Sequence, residues 1–439
     1  MQQLMQSPAD PAALRRPRID GARLWDDVMA LARHTEPAHP YTRRSFSPLF
    51  AQGRAWLAQR FADAALTPRV DAAGNLVGRR PGLTPGARTI MVGSHTDTVP
   101  EGGRFDGIVG VLAGLEMARA LKEAGVTLEH AFEVVDFLAE EPSEFGVSCV
   151  GSRALVGALS GEQLATTSPQ GLSLGEAIRA LGGDPASLGA LPQRADLAAF
   201  LELHIEQGPV LEATQTQVGI VTSIVGITRL EMVFEGAAAH AGTAPMRGRQ
   251  DAAVAAAGAV LAVRELAQQI DRSGQGYFVA TCGIVDVRPG ASNVVPGQAR
   301  VVVDARAELA SAMERFLDLL SARVQAVAAD SSCMLTRWQL LSRNAPTACD
   351  PGLQQTLQDA AQSLGLGHRR MASGAGHDAA FVARIAPAGM LFVPCRAGRS
   401  HCPEEWIEPE QLAIGAAVML DALLRLDRGA PAAGGGLRQ

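Results

Sequence analysis

The chain has 439 residues, of which 47% are hydrophobic and 19% charged, so it is long enough for two domains and too apolar for a largely disordered protein. Its formal net charge of −6 provides no basic surface for nucleic acid, and no run of about 18 apolar residues predicts a membrane-spanning segment. The six cysteines form no CxxC pair, which favours reduced thiols in a cytoplasmic protein over a disulfide framework.

The first 222 residues predict the elements of an α/β domain. In chain order these elements are a disordered lead at 1–20, two helices within 20–64, a hairpin at 67–82, a strand at 89–92, a helix at 107–124, a strand at 130–138 and a strand at 200–205. Helices that alternate with short apolar strands are typical of an α/β sheet. The sequence therefore predicts a first domain of the α/β class.

Imidazole and carboxylate side chains lie at the ends of three successive strands. They are His95, Asp97 and Asp106 after the first strand, Glu140 and Glu141 after the second, and His204 near the end of the third. Open α/β sheets place their sites at the carboxyl ends of their strands. One His and one Asp would also fit a solvated loop with a helix-capping Asp, and a Glu-Glu pair is common on surfaces. Three such strand ends in one chain favour a functional site.

The pattern changes between residues 224 and 341, where the predicted elements follow in the order β-α-β-β-α-β. This order is the signature of a ferredoxin-like α+β unit, which implies a second domain inserted into the first. The predicted organisation is a lead at 1–20, a first domain at 21–222 and 343–427, an inserted domain at 223–342 and a flexible tail at 428–439.

The first domain supplies seven nitrogen and oxygen donors at strand ends or in the loops that follow: His95, Asp106, Glu140, Glu141, His204, His377 and His401. Imidazole and carboxylate without thiolate suit catalytic Zn²⁺, Mn²⁺, Ni²⁺ or Co²⁺. One tetrahedral ion with an open position needs fewer ligands, so two ions that share a carboxylate are a natural arrangement. Neighbouring side chains of an extended strand point to opposite sides, so one of Glu140 and Glu141 can bind metal while the other faces the substrate.

Seven motifs, in order, carry a family resemblance: GSHTDTVPEGGRFDG, the Glu140-Glu141 pair, ELHIEQGPVLE, AAAHAGTAPMRGRQDA, ASNVVPG, SGAGHDA and SHCPEE. From about residue 20 to 427 the chain resembles the hydantoinase/carbamoylase branch of the M20 metallopeptidase-like amidohydrolases. This branch includes N-carbamoyl-L-amino-acid amidohydrolases, β-ureidopropionases and allantoate amidohydrolases. The resemblance implies a mixed-sheet metallohydrolase domain with an inserted ferredoxin-like lid and dimerisation domain.

The resemblance also implies a metal site in the first domain. Its implied ligands are His95 and His204 for one ion, Glu141 and His401 for the other, and Asp106 as the bridge between them. Asp97 would orient His95, and Glu140 would act as the general base. Zn²⁺ is favoured for both positions, with Mn²⁺, Co²⁺ and Ni²⁺ as alternatives.

Further roles concern the substrate. His240 matches the family histidine that reaches across a dimer interface to stabilise the oxyanion, which implies a homodimer. Asn293 and Arg306 match groups that hold a substrate carboxylate, and Gln207 matches a contact to the ureido group. His377 lies in a family motif, where a loop-bracing role and a substrate contact are both open.

The expected activity is therefore hydrolysis of the C–N bond of an N-carbamoyl group on a small carboxylated substrate, with N-carbamoyl-L-amino acids favoured. Hydrolysis of allantoate, ureidoglycolate or β-ureidopropionate, cleavage of dipeptides or acyl-amino acids, and a non-catalytic binding protein on the same scaffold are the alternatives. The segment Pro142-Ser143-Glu144 departs from the family pattern of Gly and Arg, which bears on the substrate contacts expected there.

Overall fold

The computed structural model describes residues 16–190 and 194–429. These residues form two compact units. The first contains the described residues up to Val221 together with Cys349–Arg370 and the residues from His377 onwards, and the second contains Thr222–Ala348 and Met371–Gly376. Most of the predicted lead and tail, residues 1–15 and 430–439, lies outside the described residues.

The helices and strands have the following bounds. The helices are α1 (Gly21–Leu31), α2 (Pro48–Asp63), α3 (Ile108–Glu123), α4 (Val150–Leu155), α5 (Gly161–Ala165), α6 (Leu174–Ala180), α7 (Val210–Ala213), α8 (Ala252–Arg272), α9 (Ala310–Asp330), α10 (Pro351–Ser363), α11 (Ala379–Val382) and α12 (Pro409–Gly429). The strands are β1 (Thr67–Val70), β2 (Leu76–Arg80), β3 (Thr89–His95), β4 (Ala131–Phe137), β5 (Leu197–Ile205), β6 (Val218–Ile224), β7 (Gly226–Glu235), β8 (Ala239–His240), β9 (Phe278–Arg288), β10 (Val294–Val295), β11 (Gln298–Ala307), β12 (Met334–Arg343), β13 (Thr347–Ala348), β14 (His368–Ser373) and β15 (Ala388–Val393).

The sheet of the first unit has the strand order β1-β2-β4-β3-β5-β15-β6. Its inner strands β4, β3, β5 and β15 run parallel to one another, whereas β1, β2 and β6 pair antiparallel with their neighbours. The sheet is mixed, as the family resemblance implies. Because parallel strands end at one edge of a sheet, the loops after the four inner strands meet at that edge.

Helix α3 fixes the loop that returns from this edge. All of its residues from Ile108 to Leu121 are buried, and the helix packs against β3 and β5. Phe105, just before the helix, is fully buried and stacks on Trp25, with 5.6 Å between the ring centroids. This packing holds the neighbouring Asp106 in place.

The second unit contains a four-stranded antiparallel sheet with the order β12-β7-β11-β9. Helices α8 and α9 cover one face, which gives the chain order β-α-β-β-α-β for the main elements. Strand β11 alternates strictly, with odd-numbered residues buried from Ala299 to Ala307 and even-numbered residues half-buried on the open face. The Phe278 and Phe316 rings meet in the core, with centroids 5.0 Å apart.

Five strands of the structure were not predicted, namely β6, β14 and the two-residue strands β8, β10 and β13. Strand β6 follows a short helix in a segment with no clear alternation, and β14 has the largely polar sequence HRRMAS. Among the described helices, only α8 is long and apolar enough to cross a membrane, which is a weak indication because the core helix of a globular protein has the same properties. In the structure α8 packs on the sheet of the second unit.

Candidate metal centre

Four neighbouring parallel strands deliver the candidate ligands to one edge of the first unit. Strand β3 ends at His95, β5 carries His204 one residue before its end, and β4 ends three residues before Glu140. The loop after β15 contains His401. These side chains are up to about 300 residues apart in the sequence. They meet because their strands are adjacent and parallel.

One group of donors consists of His95, Asp106 and His204, whose ligand atoms all lie within 4.8 Å of one another. All three side chains are buried. The closest pair is His204 Nε2 and Asp106 Oδ1, which are 3.1 Å apart. Two imidazoles and a carboxylate at this spacing form a set that can hold a divalent cation.

A second group consists of Asp106, Glu141 and His401, again within 4.8 Å. His401 Nε2 lies 2.9 Å from Asp106 Oδ2 and 3.0 Å from Glu141 Oε1. Both groups contain Asp106, with one carboxylate oxygen turned to each. This is the arrangement in which a carboxylate can bridge two cations.

Backbone carbonyl groups orient the rings of both buried histidines, His95 and His204. The Nδ1 atoms of His95 and His204 lie 3.0 Å from the Asp97 carbonyl and 2.9 Å from the Ile205 carbonyl, respectively. An Nδ1–H that donates to a carbonyl leaves the lone pair of the neutral ring on Nε2. In both rings Nε2 therefore carries the lone pair that a cation would take, and in His204 this atom accepts the Gly107 N–H over 3.2 Å.

Asp97 braces the centre in a way that sequence reasoning did not foresee. Its carboxylate was expected to orient His95, but Oδ1 lies 3.5 Å from His95 Nδ1, farther than the Asp97 carbonyl oxygen. Its two carboxylate oxygens accept hydrogen bonds from the backbone N–H groups of Glu140 (3.3 Å) and Glu141 (3.2 Å). Asp97 thus ties the loop after β3 to the loop after β4.

Glu140 and Glu141 contact different residues, and they follow the end of β4 rather than belonging to it. Ala139 has a left-handed backbone with φ of +49°, which breaks the extended alternation assumed from the sequence. Glu141 turns to His401, while Glu140 Oε2 lies 3.7 Å from His95 Nε2. The Cys149 thiol donates to Glu140 Oε1 over 3.4 Å.

The electrostatics of the centre favour positive charge. Burial opposes the imidazolium form of His95, but hydrogen bonding to Asp97 and the carboxylates of Glu140 and Asp106 outweigh burial and raise the pKa of His95 well above its usual range. Hydrogen bonds to Asp106 and Glu141 raise the pKa of His401 to about 11. Clustered carboxylates that draw protons onto imidazoles will also draw a divalent cation, so the donors fit a metal.

Glu140 has a different environment. Burial raises the pKa of its carboxyl group well above the usual range, and the neighbouring Glu141 adds to this shift although His95 opposes it. A carboxylate that readily holds a proton suits general acid–base work.

Two residues that sequence reasoning missed support Asp106. Ser400 Oγ lies 2.9 Å from Asp106 Oδ2 and 2.8 Å from Glu405 Oε2. The buried Glu405 accepts the backbone N–H groups of Phe105 (2.7 Å) and Asp106 (3.2 Å). Burial, together with the charge of Asp106, raises the pKa of Glu405 to about 7. Ser400 and Glu405 both lie in the SHCPEE motif with His401, and this position in the sequence could have indicated their role.

Gln207 also contacts Asp106. Its Nε2 donates to Asp106 Oδ2 over 2.9 Å, and its backbone is left-handed with φ of +56°. Its Oε1 is buried and has no hydrogen-bond partner among the described residues. The side chain therefore presents a free acceptor, which can receive an N–H group of a ligand.

His377 lies behind the first group of donors. Its ring packs edge-on against His204, with centroids 4.5 Å apart, and burial lowers its pKa well below the usual range. The ligand atoms of His377, Glu202 and His204 also lie within 4.8 Å of one another. Glu202 accepts hydrogen bonds from Ser94 Oγ (2.7 Å) and Ala379 N–H (3.1 Å), so it connects three elements around this histidine.

The remaining predicted residues belong to the second unit. Asn293 and His240 lie on neighbouring segments, where the Asn293 carbonyl accepts the Ala241 N–H (2.9 Å). The Gly242 N–H donates to His240 Nδ1 (3.1 Å), which places the proton of the neutral ring on Nε2. Arg306 projects from the open face of β11. His240 is exposed and can offer an N–H donor.

Comparisons with known proteins identify the family of the chain. Residues 91–425 match the sequence profile of peptidase family M20/M25/M40. The chain belongs to this family. M20/M25/M40 proteins typically depend on two metal ions, and the two donor groups that share Asp106 are the candidate positions for them.

Relatives within the M20/M25/M40 family are similar over almost the whole chain. An N-carbamoyl-L-amino-acid amidohydrolase of Paenarthrobacter aurescens is 39% identical over 413 residues, which cover 94% of this chain and 99% of the relative. A ureidoglycolate hydrolase of Arabidopsis thaliana is 35% identical over 93% of this chain and 87% of the relative. The crystal structure of a hydantoinase/carbamoylase family amidase from Burkholderia multivorans has a TM-score of 0.85 at 36% identity, covering 93% of this chain and 98% of that one.

A pair of glycine variants tests how the centre holds His95. An added Cβ at Gly107 would lie 2.2 Å from His95 Nε2, whereas one at Gly125 would meet nothing within 4 Å, although the φ angles are +69° and +68°. Alanine strains the backbone at both positions, and Gly107, with ψ of −43°, also lies outside the left-handed helical region that non-glycine residues tolerate best at positive φ. Only Gly107→Ala should also displace the ring and lower the metal bound per chain, measured by mass spectrometry of the metal after dialysis. Equal metal content in both variants would contradict this account.

Proposed function

We propose that this M20/M25/M40 protein hydrolyses the C–N bond of an N-carbamoyl group on a small carboxylated substrate, with an N-carbamoyl-L-amino acid as the favoured substrate. The products would be the L-amino acid, CO₂ and NH₃. The observation that carries this proposal is the pair of donor groups that share Asp106 beside the buried Glu140. The similar amidohydrolases from Paenarthrobacter aurescens and Geobacillus stearothermophilus support the choice of substrate.

The proposed cofactor is two divalent cations per chain. His95 and His204 would hold one, Glu141 and His401 would hold the other, and Asp106 would contact both. Zn²⁺ suits these nitrogen and oxygen donors best, and Mn²⁺, Co²⁺ and Ni²⁺ are compatible with them. When bound, the ions acidify water and polarise the scissile carbonyl.

Glu140 would move the proton of the reaction. It accepts a proton from the attacking water as the new C–O bond forms, and it returns the proton to the nitrogen as the C–N bond breaks. Its burial and its contact with the Cys149 thiol hold it in one orientation. The Asp97 carboxylate accepts the backbone N–H groups of Glu140 and Glu141 and so fixes the position of both residues.

Four further side chains would recognise the substrate. Gln207 Oε1, buried without a partner among the described residues, would accept an N–H of the ureido group. His240 Nε2–H would stabilise the oxyanion, and Asn293 and Arg306 would bind the carboxylate. For His377, the packing against His204 favours a bracing role over direct contact with substrate.

Ureidoglycolate and allantoate are the second candidate substrates. A ureidoglycolate hydrolase of Arabidopsis thaliana is 35% identical to this chain, and an allantoate amidohydrolase of Bacillus subtilis is 34% identical. Both compounds combine ureido and carboxylate groups, so the same residues would recognise them.

A substrate panel tests the proposed function. Metal-loaded protein should hydrolyse at least one of a set of N-carbamoyl-L-amino acids, β-ureidopropionate, allantoate and ureidoglycolate, and should leave dipeptides intact. Chelation should abolish this activity, and one of Zn²⁺, Mn²⁺, Co²⁺ or Ni²⁺ should restore it. Turnover of dipeptides alone, or full activity of metal-free protein, would contradict the proposal.

The role of Glu140 leads to a separate prediction. Glu140→Gln should lower kcat by about 10²-fold or more while leaving two metals per chain, because it removes proton transfer and keeps the ligands. Metal content and kcat are measured on the same preparation. If Glu140→Gln loses metal instead, Glu140 is a ligand rather than the base.

We also propose that the protein is a cytoplasmic homodimer. All six cysteines are free thiols, which suits a reducing compartment. Strand β9 is an edge of the second unit's sheet, and its exposed Val279, Ile284 and Val285 leave an apolar edge open. Such an edge can pair with a second copy of itself. His240 would then serve the neighbouring subunit, as the family resemblance implies.

Subunit exchange tests this sharing. His240→Ala and Glu140→Gln proteins should each be nearly inactive, and mixing them should regenerate activity. In each mixed dimer, one of the two sites would contain both wild-type residues. Exchange is verified with two affinity tags, and continued inactivity of the verified mixed dimer would refute the sharing of His240. Full activity of a monomer would refute it as well.

A further inference from the structure

The open face of the second unit's sheet carries a short row of charges around Arg306. Residues 304 and 306 of β11 lie on this face, opposite the buried Val303 and Ala305. Arg306 Nε–H donates to Asp304 Oδ1 over 2.9 Å. Because both residues project from one strand two positions apart, a rigid backbone sets this hydrogen bond.

A second contact holds the other side of the guanidinium. Arg306 Nη1–H donates to the Gly374 carbonyl over 2.9 Å. Gly374 itself packs under the Tyr277 hydroxyl, which would lie 2.7 Å from a Cβ at this position. Of the five guanidinium N–H groups, the two on Nη2 and one on Nη1 make no hydrogen bond to a described residue.

Asp304 is held in turn by Arg229. The Arg229 Nε–H donates to Asp304 Oδ2 over 3.2 Å, and the two residues are direct partners across β7 and β11. Both oxygens of Asp304 are thus engaged by arginines. The row carries one net positive charge, so Arg306 remains attractive to an anion while its position is constrained.

We propose that Asp304 is a positioning residue, which fixes the Arg306 guanidinium so that its free N–H groups bind a substrate carboxylate. This inference rests on the proposed function, in which Arg306 contacts that carboxylate. A free arginine side chain samples many rotamers and loses that freedom when it binds. Asp304 restricts Arg306 in advance, which lowers the entropy lost on binding. It also occupies the Nε side, which directs the substrate to the Nη atoms.

The same face offers a matched control. Asp286 of β9 accepts a hydrogen bond from Arg300 Nη1 over 3.1 Å. Arg300 is the direct partner of Asp286 on β11 and lies four residues before Asp304 on that strand. Exposed pairs of this kind add little to stability. Replacing either aspartate should therefore leave the unfolding temperature nearly unchanged, and only Asp304 should affect the substrate.

The test uses the full-length, metal-loaded enzyme and the best N-carbamoyl-L-amino acid of the panel. Asp304→Ala should raise KM about tenfold with kcat within about twofold, because binding is weakened and the chemical step is not. Asp304→Asn keeps one acceptor, for which Arg306 and Arg229 compete, so its KM should lie between those of wild type and Asp304→Ala. Asp286→Ala should leave KM unchanged. In an Arg306→Ala background, Asp304→Ala should have no further effect on KM.

The outcomes separate the inference from the proposed function. If Arg306→Ala leaves KM unchanged, the proposed carboxylate contact is wrong. If Arg306→Ala raises KM while Asp304→Ala does not, only the role of Asp304 is refuted. An effect of Asp286→Ala equal to that of Asp304→Ala, an Asn variant as poor as the Ala variant, or a further rise in KM in the Arg306→Ala background would also refute positioning.

Discussion

The structure of the first unit depends on one carboxylate, that of Asp106. It is buried among other acids, and each of its oxygens faces an imidazole. Burying a charge is costly unless opposite charge or hydrogen bonds compensate for it. His204 provides that compensation at Oδ1 of Asp106, and His401 provides it at Oδ2. The two donor groups that share Asp106 are therefore the candidate positions for two cations.

The surrounding structure holds Asp106 and its neighbours in conformations that the chain would otherwise avoid. The backbone is left-handed at Ala139, Gln207 and His401, each within or next to the centre. Non-glycine residues keep such conformations only where packing and hydrogen bonds determine them. The buried helix α3, the Asp97 carboxylate and the Glu405 carboxylate provide this support. At these three positions the strained backbone helps to orient the side chains of the centre.

Local patterns were sufficient to predict the strands that carry the donors, because alternation and apolar runs depend on neighbouring residues. Strand β14, with its polar sequence, gave no such pattern. Nor could the sequence show that Asp97 holds the Glu140 backbone, or that Ser400 and Glu405 hold Asp106. These contacts join residues far apart in the chain, and their signal exists only once the strand order is known.

Metal stoichiometry tests the account most directly, because the shared carboxylate predicts an unequal response of the two positions. Wild-type protein, loaded with Zn²⁺ and dialysed, should retain two ions per chain. Glu141→Ala should retain one, because it removes a donor from one group only, whereas Asp106→Ala should retain none. Two ions retained by Asp106→Ala, or the loss of both from Glu141→Ala, would contradict a centre built on a shared Asp106.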